Sequence, residues 1–138
     1  MPPRALIDTG PLAAFLNRRD RLHAWAREAF AATPGPYLTT EGNVAEICHL
    51  LERAMLKGSL PLFELIETGL LQVASLKDAL SSVQVQIARY RDRQVDFADA
   101  CLLVLADRHP RLPLITVDRA DFVVYFRGRT KRLTLPPA

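Results

Sequence analysis

Short apolar segments alternate with longer helical segments along this chain, and this alternation limits the fold more than any other feature. The first apolar segment is Ala5-Leu6-Ile7, which ends at Asp8 and the turn Thr9-Gly10-Pro11. Further segments of this kind cover residues 37–39, 72–75, 114–116 and 132–135. Strands that alternate with helices predict an α/β fold whose mostly parallel sheet is covered on both faces.

Apolar residues at helical spacing fill the intervals between these predicted strands. Pro11 fits the first turn of a helix that runs to about Asn17, and Thr40 or Asn43 can cap the third helix. The remaining helices are predicted over residues 21–32, 44–56, 60–68, 77–91 and 97–109, with a short helix or turn over 121–125. The 138 residues contain no repeat and no long linker, so we expect a single domain over residues 1–138.

Acidic residues lie at the ends of the predicted strands and the starts of the predicted helices. Asp8 and Asp118 each follow a strand, where ligands of open α/β sheets bind. Asp96 and Asp99 lie three residues apart on one side of a helix start. Glu46 lies on the flank of the apolar stripe of the third helix. Each acid alone has an ordinary explanation as a helix cap, a turn residue or a solvated side chain, so the case for a site rests on their combination.

Gathered carboxylates repel one another strongly. Two unit charges ~4 Å apart interact by ~4 kcal/mol at an effective dielectric of 20. Such a cluster needs either bound protons or a cation, and ligands that are all oxygen favour Mg²⁺ or Mn²⁺ over zinc. The three histidines are scattered, and Cys48 and Cys101 lie in apolar helical patterns that predict reduced thiols. A Mg²⁺ or Mn²⁺ ion would suit phosphodiester hydrolysis, because it lowers the pKa of a bound water and stabilises the pentacoordinate phosphate.

The charge balance is compatible with a polyanionic substrate. The net charge is +3, and a basic rim around an acidic pocket would attract phosphates. Arg18, Arg19 and Arg21 form one basic cluster, for which a solvated surface is an equally good explanation. The second basic cluster, a weak candidate for RNA contact, consists of Arg127, Arg129, Lys131 and Arg132. Neither a signal peptide nor a run of ~18 apolar residues is visible, so we expect a cytoplasmic protein.

Four segments, in their order and spacing, resemble the four acidic motifs of the PIN domain, and most closely those of VapC-type ribonuclease toxins. The segments are LIDTGPLAAFL, TTEGNVAEICHLL, DFADACLLVLA and LITVDRADF. The resemblance implies a three-layer α/β/α sandwich with a five-stranded parallel sheet. It also implies Mg²⁺- or Mn²⁺-dependent endoribonuclease activity, a homodimer and inhibition by a cognate antitoxin.

The resemblance also implies roles for individual residues. The catalytic and metal-binding acids would be Asp8, Glu46, Asp99 and Asp118. Asp96 and Asp121 are possible additional ligands, with Asp121 able to share or replace the role of Asp118, and Glu41 competes for the assignment of Glu46. Thr9 and Thr116 match hydroxyl residues beside the metal.

Two other functions remain open on the sequence. The first is a non-catalytic module of the same fold that binds RNA or protein. The second is a phosphoaspartate enzyme, although Gly10 stands where the second acid of the D-x-D signature would be.

Overall fold

The computed structural model describes residues 1–126 and 133–137. Its strands are β1 (Ala5–Ile7), β2 (Tyr37–Thr40), β3 (Leu71–Ala74), β4 (Leu114–Ile115) and β5 (Leu133–Thr134). They form one sheet in the order β3-β2-β1-β4-β5, and all four pairings are parallel. The predicted parallel, five-stranded sheet is confirmed.

Helices fill the intervals between these strands, as the apolar spacing predicted. They are α1 (Thr9–Leu16), α2 (His23–Ala32), α3 (Glu41–Ala54), α4 (Leu60–Glu67), α5 (Leu80–Arg89), α6 (Phe97–Arg108) and α7 (Arg119–Tyr125). None of the helices within the described residues has the length and apolar character needed to cross a membrane.

The sheet lies between two apolar cores because successive strand residues point to opposite faces. Ala5 and Ile7 pack into one core with residues from α1 to α4. Leu6 and Leu114 pack into the other core with residues from α6 and α7, and α5 packs against α6 beside it. This arrangement confirms the three-layer α/β/α sandwich.

Two helices begin earlier than predicted because polar side chains cap them directly after a strand. Helix α1 begins at Thr9, where the Asp8 carboxylate accepts a hydrogen bond from the Thr9 backbone N–H. Helix α3 begins at Glu41, and the Thr40 hydroxyl accepts a hydrogen bond from the Asn43 N–H. Each of these strands therefore passes into its helix without an intervening loop.

Residues 77–91, which were predicted to be mostly helical, contain one α-helix flanked by 3₁₀ turns. A 3₁₀ turn (Lys77–Ala79) precedes α5, and a second 3₁₀ turn (Arg91–Arg93) follows it. The second turn ends at Gln94, which has a positive φ of 54°. This left-handed residue turns the chain toward the start of α6.

The order of the strands reverses at β1. Strands β2 and β3 lie on one side of β1, whereas β4 and β5 lie on the other. In an open parallel sheet, a ligand site forms beyond the carboxyl ends of the strands at such a reversal. The residues that follow β1 and β4 border this crevice.

Candidate functional site

Asp8 directly follows β1 at the crevice and accepts hydrogen bonds from three neighbours. Its side chain is 6% exposed. The Thr116 hydroxyl donates to its Oδ2 over 2.8 Å. The Thr9 N–H donates to Oδ1 over 2.8 Å, and the Asn43 amide donates to the same oxygen over 3.4 Å. Burial raises the Asp8 pKa to about 6, although the hydrogen bonds from Thr116 and Thr9 oppose this shift.

Glu46 and Asp99 bring two further carboxylates to this region from α3 and α6. Burial raises the pKa of Glu46, as does the charge of Asp96, while a hydrogen bond from Thr9 lowers it. Burial is also the largest cause of the raised pKa of Asp99, which reaches about 8. The charges of Asp96, Asp8, Glu46 and Asp118 raise it further. Asp99 therefore lies within electrostatic reach of four other carboxylates.

Asp118 joins the crevice from the turn after β4. Its backbone N–H donates to the Thr116 hydroxyl over 3.1 Å, and that hydroxyl in turn holds Asp8. Its side chain caps α7 by accepting a hydrogen bond from the Asp121 N–H over 3.1 Å. Burial raises the pKa of Asp118. Thr116 thus connects the two acids that follow β1 and β4.

Asp121 and Asp96, the two additional candidates, have other partners. Arg93 donates from Nη2 to Oδ1 of Asp121 over 2.7 Å in a partly exposed ion pair. Asp96 is exposed and caps α6 through a 2.8 Å hydrogen bond from the Asp99 N–H. Asp96 still acts on the site, since its charge raises the pKa values of Glu46 and Asp99.

Asn43 is a component of the site that the sequence assigned only as a helix cap. Its side chain is fully buried. The amide donates to Thr9 Oγ1 over 3.1 Å as well as to Asp8, and its oxygen accepts a 2.6 Å hydrogen bond from Thr40. A signal was present, because Asn43 precedes Ile47 and Leu51 at intervals of four on the buried face of α3. A polar residue on such a face needs buried partners.

The second basic cluster lies outside the residues that the structure describes. Arg127, Arg129, Lys131 and Arg132 belong to the segment 127–132. Their contact with RNA stays a prediction.

The oxygen atoms at the crevice are of the chemical type that binds a hard divalent cation. Carboxylate and hydroxyl oxygens are the groups that Mg²⁺ and Mn²⁺ prefer. The raised pKa of Asp99 is the shift that a bound cation would reverse. As placed, however, no three His, Cys, Asp or Glu side chains within residues 1–126 and 133–137 have the arrangement of an ion site. Asp8, Asp96 and Asp118 instead accept hydrogen bonds from backbone N–H groups at helix starts.

Known proteins of the same architecture were found by sequence and by structure. Ribonuclease VapC26 of Mycobacterium tuberculosis is 26% identical over 119 residues, which cover 85% of this chain and 88% of that protein. The crystal structure of VapC20, a sarcin–ricin loop cleaving toxin of M. tuberculosis, superposes with a TM-score of 0.77 at 19% identity. The match covers 87% of this chain and 94% of the VapC20 chain.

A chain of a toxin–antitoxin complex from Klebsiella pneumoniae superposes with a TM-score of 0.59 at 20% identity. The match covers 86% of this chain and 89% of that one. At these identities the two solved structures show a shared fold. The sequence model of the PIN domain matches residues 5–125. Since that match includes β1 to β4 and the acids of the crevice, this protein belongs to the PIN domain family.

Proposed function

We propose that residues 1–138 form a single Mg²⁺- or Mn²⁺-dependent endoribonuclease domain, the toxin of a type II toxin–antitoxin pair. The observation that carries this proposal is the convergence of acids at the crevice. Thr116 hydrogen-bonds the Asp8 carboxylate and the Asp118 backbone, and burial, followed by the charges of four other carboxylates, raises the pKa of Asp99. Membership of the PIN domain family and the similarity to ribonuclease VapC26 support the same activity.

The catalytic acids in this proposal are Asp8, Glu46, Asp99 and Asp118, which would also hold the ion. When bound, the ion supplies Lewis-acid stabilisation of the phosphate and lowers the pKa of a water. Hydrolysis adds the water oxygen to phosphorus and breaks one P–O ester bond, leaving one phosphomonoester end and one hydroxyl end.

The neighbouring polar residues orient these acids. Thr116 donates to Asp8 and accepts from the Asp118 backbone, so it holds the two acids at a fixed separation. Asn43 fixes the opposite oxygen of Asp8 and the hydroxyl of Thr9. We favour Asp118 over Asp121 as the fourth ligand, because Arg93 already neutralises Asp121.

Cleavage by carboxylate variants tests this function directly. RNA would be incubated in Mn²⁺ with wild type, Asp8→Asn, Asp99→Asn and the exposed control variant Glu28→Gln. Removing one charge-stabilising group from an active site costs roughly 100-fold or more in rate. We expect that loss in both Asp variants, wild-type activity in Glu28→Gln, and no activity in EDTA. Wild-type rates in both Asp variants would refute the proposal.

A non-catalytic RNA-binding module is the second candidate. The observation that favours it is that the acids, as placed in the described residues, do not form an ion site. This alternative predicts RNA binding by wild type without cleavage in Mg²⁺ or Mn²⁺, and no heat of ion binding in calorimetry. The nuclease proposal predicts both cleavage of the RNA and a heat of ion binding.

The partners in this proposal are a cognate antitoxin and a second copy of the chain, and the place of action is the cytoplasm. The likeness to a chain of a toxin–antitoxin complex supports the first partner. Exposed apolar side chains at Leu56, Leu60 and Phe63 are the kind of surface that a protein covers. Light scattering should give twice the chain mass of 15.4 kDa. The product of a neighbouring short reading frame should abolish cleavage.

A further inference from the structure

An apolar cavity of about 390 Å³ opens beside the acidic crevice. It lies between the first turns of α3 and α6 and the 3₁₀ turn that precedes α5. We call it the Phe97 pocket, and its walls include Gly42, Ala45, Leu76, Lys77, Leu80 and Phe97. Its volume falls within the range of roughly 300–1,000 Å³ that is typical of small-molecule sites.

The Phe97 pocket and the acids lie at the same edge of the sheet. Thr40, which lines the pocket, is the last residue of β2, and Leu76 follows β3 by two positions. Asp8 follows β1, the neighbour of β2. Adjacent strands are about 4.8 Å apart, so the pocket lies only one or two strand spacings from the carboxylates.

Side-chain contacts connect the two regions directly. The Thr40 hydroxyl donates to Asn43 Oδ1 over 2.6 Å, and the Asn43 amide contacts Asp8. On the other wall, Phe97 lies in the first turn of α6 between Asp96 and Asp99. A phosphate held at the acids would therefore have its neighbouring nucleotide at the mouth of the pocket.

The walls have the chemistry of a site for one nucleobase. Phe97 is 51% exposed, and Leu80, which also lines the pocket, is 53% exposed. Gly42 makes room for the ring, since a Cβ at that position would lie 3.2 Å from its Cε2. An aromatic face stacks on any base, and exposed Lys77 can contact the adjoining phosphate. Exposed Glu41, on the rim, can accept a hydrogen bond from an exocyclic amine of the base.

We propose that the Phe97 pocket binds the base of an RNA nucleotide next to the scissile phosphate, with the Phe97 ring stacked on that base. This inference rests on the proposed ribonuclease function and adds a subsite to it. The pocket then helps to decide which phosphodiester bond reaches the carboxylates.

Binding in EDTA tests the subsite separately from cleavage. The probe is a fluorescein-labelled, single-stranded RNA of randomised sequence, about 12 nucleotides long, followed by fluorescence anisotropy. Loss of one stacked base corresponds to roughly a 5- to 150-fold change in affinity. We expect Phe97→Ala to weaken binding by about tenfold. Phe97→Trp should bind as wild type does, because it keeps an aromatic face.

Two matched variants separate stacking from general apolar contact. Phe97→Leu should bind RNA as weakly as Phe97→Ala, because it keeps the apolar surface without the ring. Val85→Ala removes a comparably exposed apolar side chain (54%) from α5 and should bind as wild type does. An abasic oligomer with the same sugar–phosphate backbone should bind wild type and Phe97→Ala equally. Lys77→Gln should reduce the slope of log affinity against log salt by about 0.7, the value for one phosphate contact on a single strand.

Several results would overturn the subsite. The first is wild-type affinity in Phe97→Ala, and the second is failure of wild type to bind the RNA pool. The third is wild-type affinity in Phe97→Leu, which is expected of a pocket that binds a peptide side chain. Base-dependent binding without cleavage in Mn²⁺ would refute the nuclease proposal and still support the subsite. If wild type and Phe97→Ala cleave RNA with equal KM and bind it with equal affinity, the subsite is refuted and the nuclease proposal is supported.

Discussion

At the scale of single residues, the charge state of Asp99 connects the site to the stability of the fold. Its folded pKa of about 8 lies far above the ordinary aspartate pKa of 3.8. Between these two values the folded state binds more protons than the unfolded state. The free energy of unfolding of the metal-free protein therefore falls as pH rises through this window.

Asp99→Asn should remove most of that pH dependence. One pKa unit corresponds to about 1.4 kcal/mol. The Asp99 side chain is partly exposed, so solvent screens its charge. We therefore expect the free energy of unfolding of the variant to exceed that of wild type by only about 2 kcal/mol at pH 8. Urea unfolding in EDTA at pH 4.5 and pH 8 measures the difference, with Glu28→Gln as the control. A variant less stable than wild type at pH 8 would mean that the acids do not share one pocket.

Asn43 should matter for both stability and cleavage. Its amide is the buried partner of Asp8 and Thr9, and its oxygen is the partner of Thr40. Asn43→Ala removes these three buried hydrogen bonds, which costs about 2–3 kcal/mol in the free energy of unfolding. Urea unfolding should detect this loss. Asn17→Ala, which removes a single exposed contact to the Arg19 N–H, should cost less than about 1 kcal/mol.

At the scale of secondary-structure elements, the start of α1 packs tightly against the turn after β4. A Cβ added to Gly10 would overlap Cγ2 of Val117, which lies between Thr116 and Asp118. The position of Asp118 therefore depends on the absence of a side chain at residue 10.

Gly10→Ala should displace the β4–α7 turn. Overpacking of this kind costs about 1–3 kcal/mol, and the shifted Asp118 should also lower the cleavage rate. Val117→Ala removes the opposing methyl groups, so the double variant should recover activity relative to Gly10→Ala. Thermal unfolding and cleavage rates of the two single variants and the double variant form the test. Strictly additive losses would show that the two side chains do not meet.

The sheet was predictable from sequence because its strands are short apolar segments bounded by turn residues. Residues 5–7 stop before Asp8, and residues 114–116 begin after Pro113 and end on Thr116, so their approximate limits were visible. The break around Lys77–Ala79 was not visible, because Leu76, Ala79 and Val83 keep an apolar pattern through it. A 3₁₀ turn and an α-helix differ there in hydrogen bonding rather than in which residues are buried.

The places of the acids after strands and at helix starts were predictable one by one, whereas their contacts were not. Asp8 and Asp118 follow strands, a position that sequence can locate. The contact between Asn43 and Asp8 joins residues 35 positions apart. The hydrogen bond from Thr116 to Asp8 spans 108 positions. Such pairs depend on which strands become neighbours, and local spacing does not contain that information.

At the scale of the whole molecule, a protein with a net charge of +3 concentrates carboxylates at one edge of its sheet. The fold offsets part of this repulsion through the hydrogen bonds that Thr116 and Thr9 donate to Asp8. It also places three acids at helix N-termini, where the helix dipole favours negative charge. A divalent cation would offset the repulsion that remains.

Thermal unfolding in EDTA and in saturating Mn²⁺ is the most direct test of this shared carboxylate site. An ion at 100 times its dissociation constant stabilises the folded state by about 2.7 kcal/mol. We predict that Mn²⁺ raises the Tm of wild type and of Glu28→Gln. Most of this rise should be lost in each of four single variants, namely Asp8→Asn, Glu46→Gln, Asp99→Asn and Asp118→Asn. The full rise in all four variants, or no rise in wild type, would contradict the account.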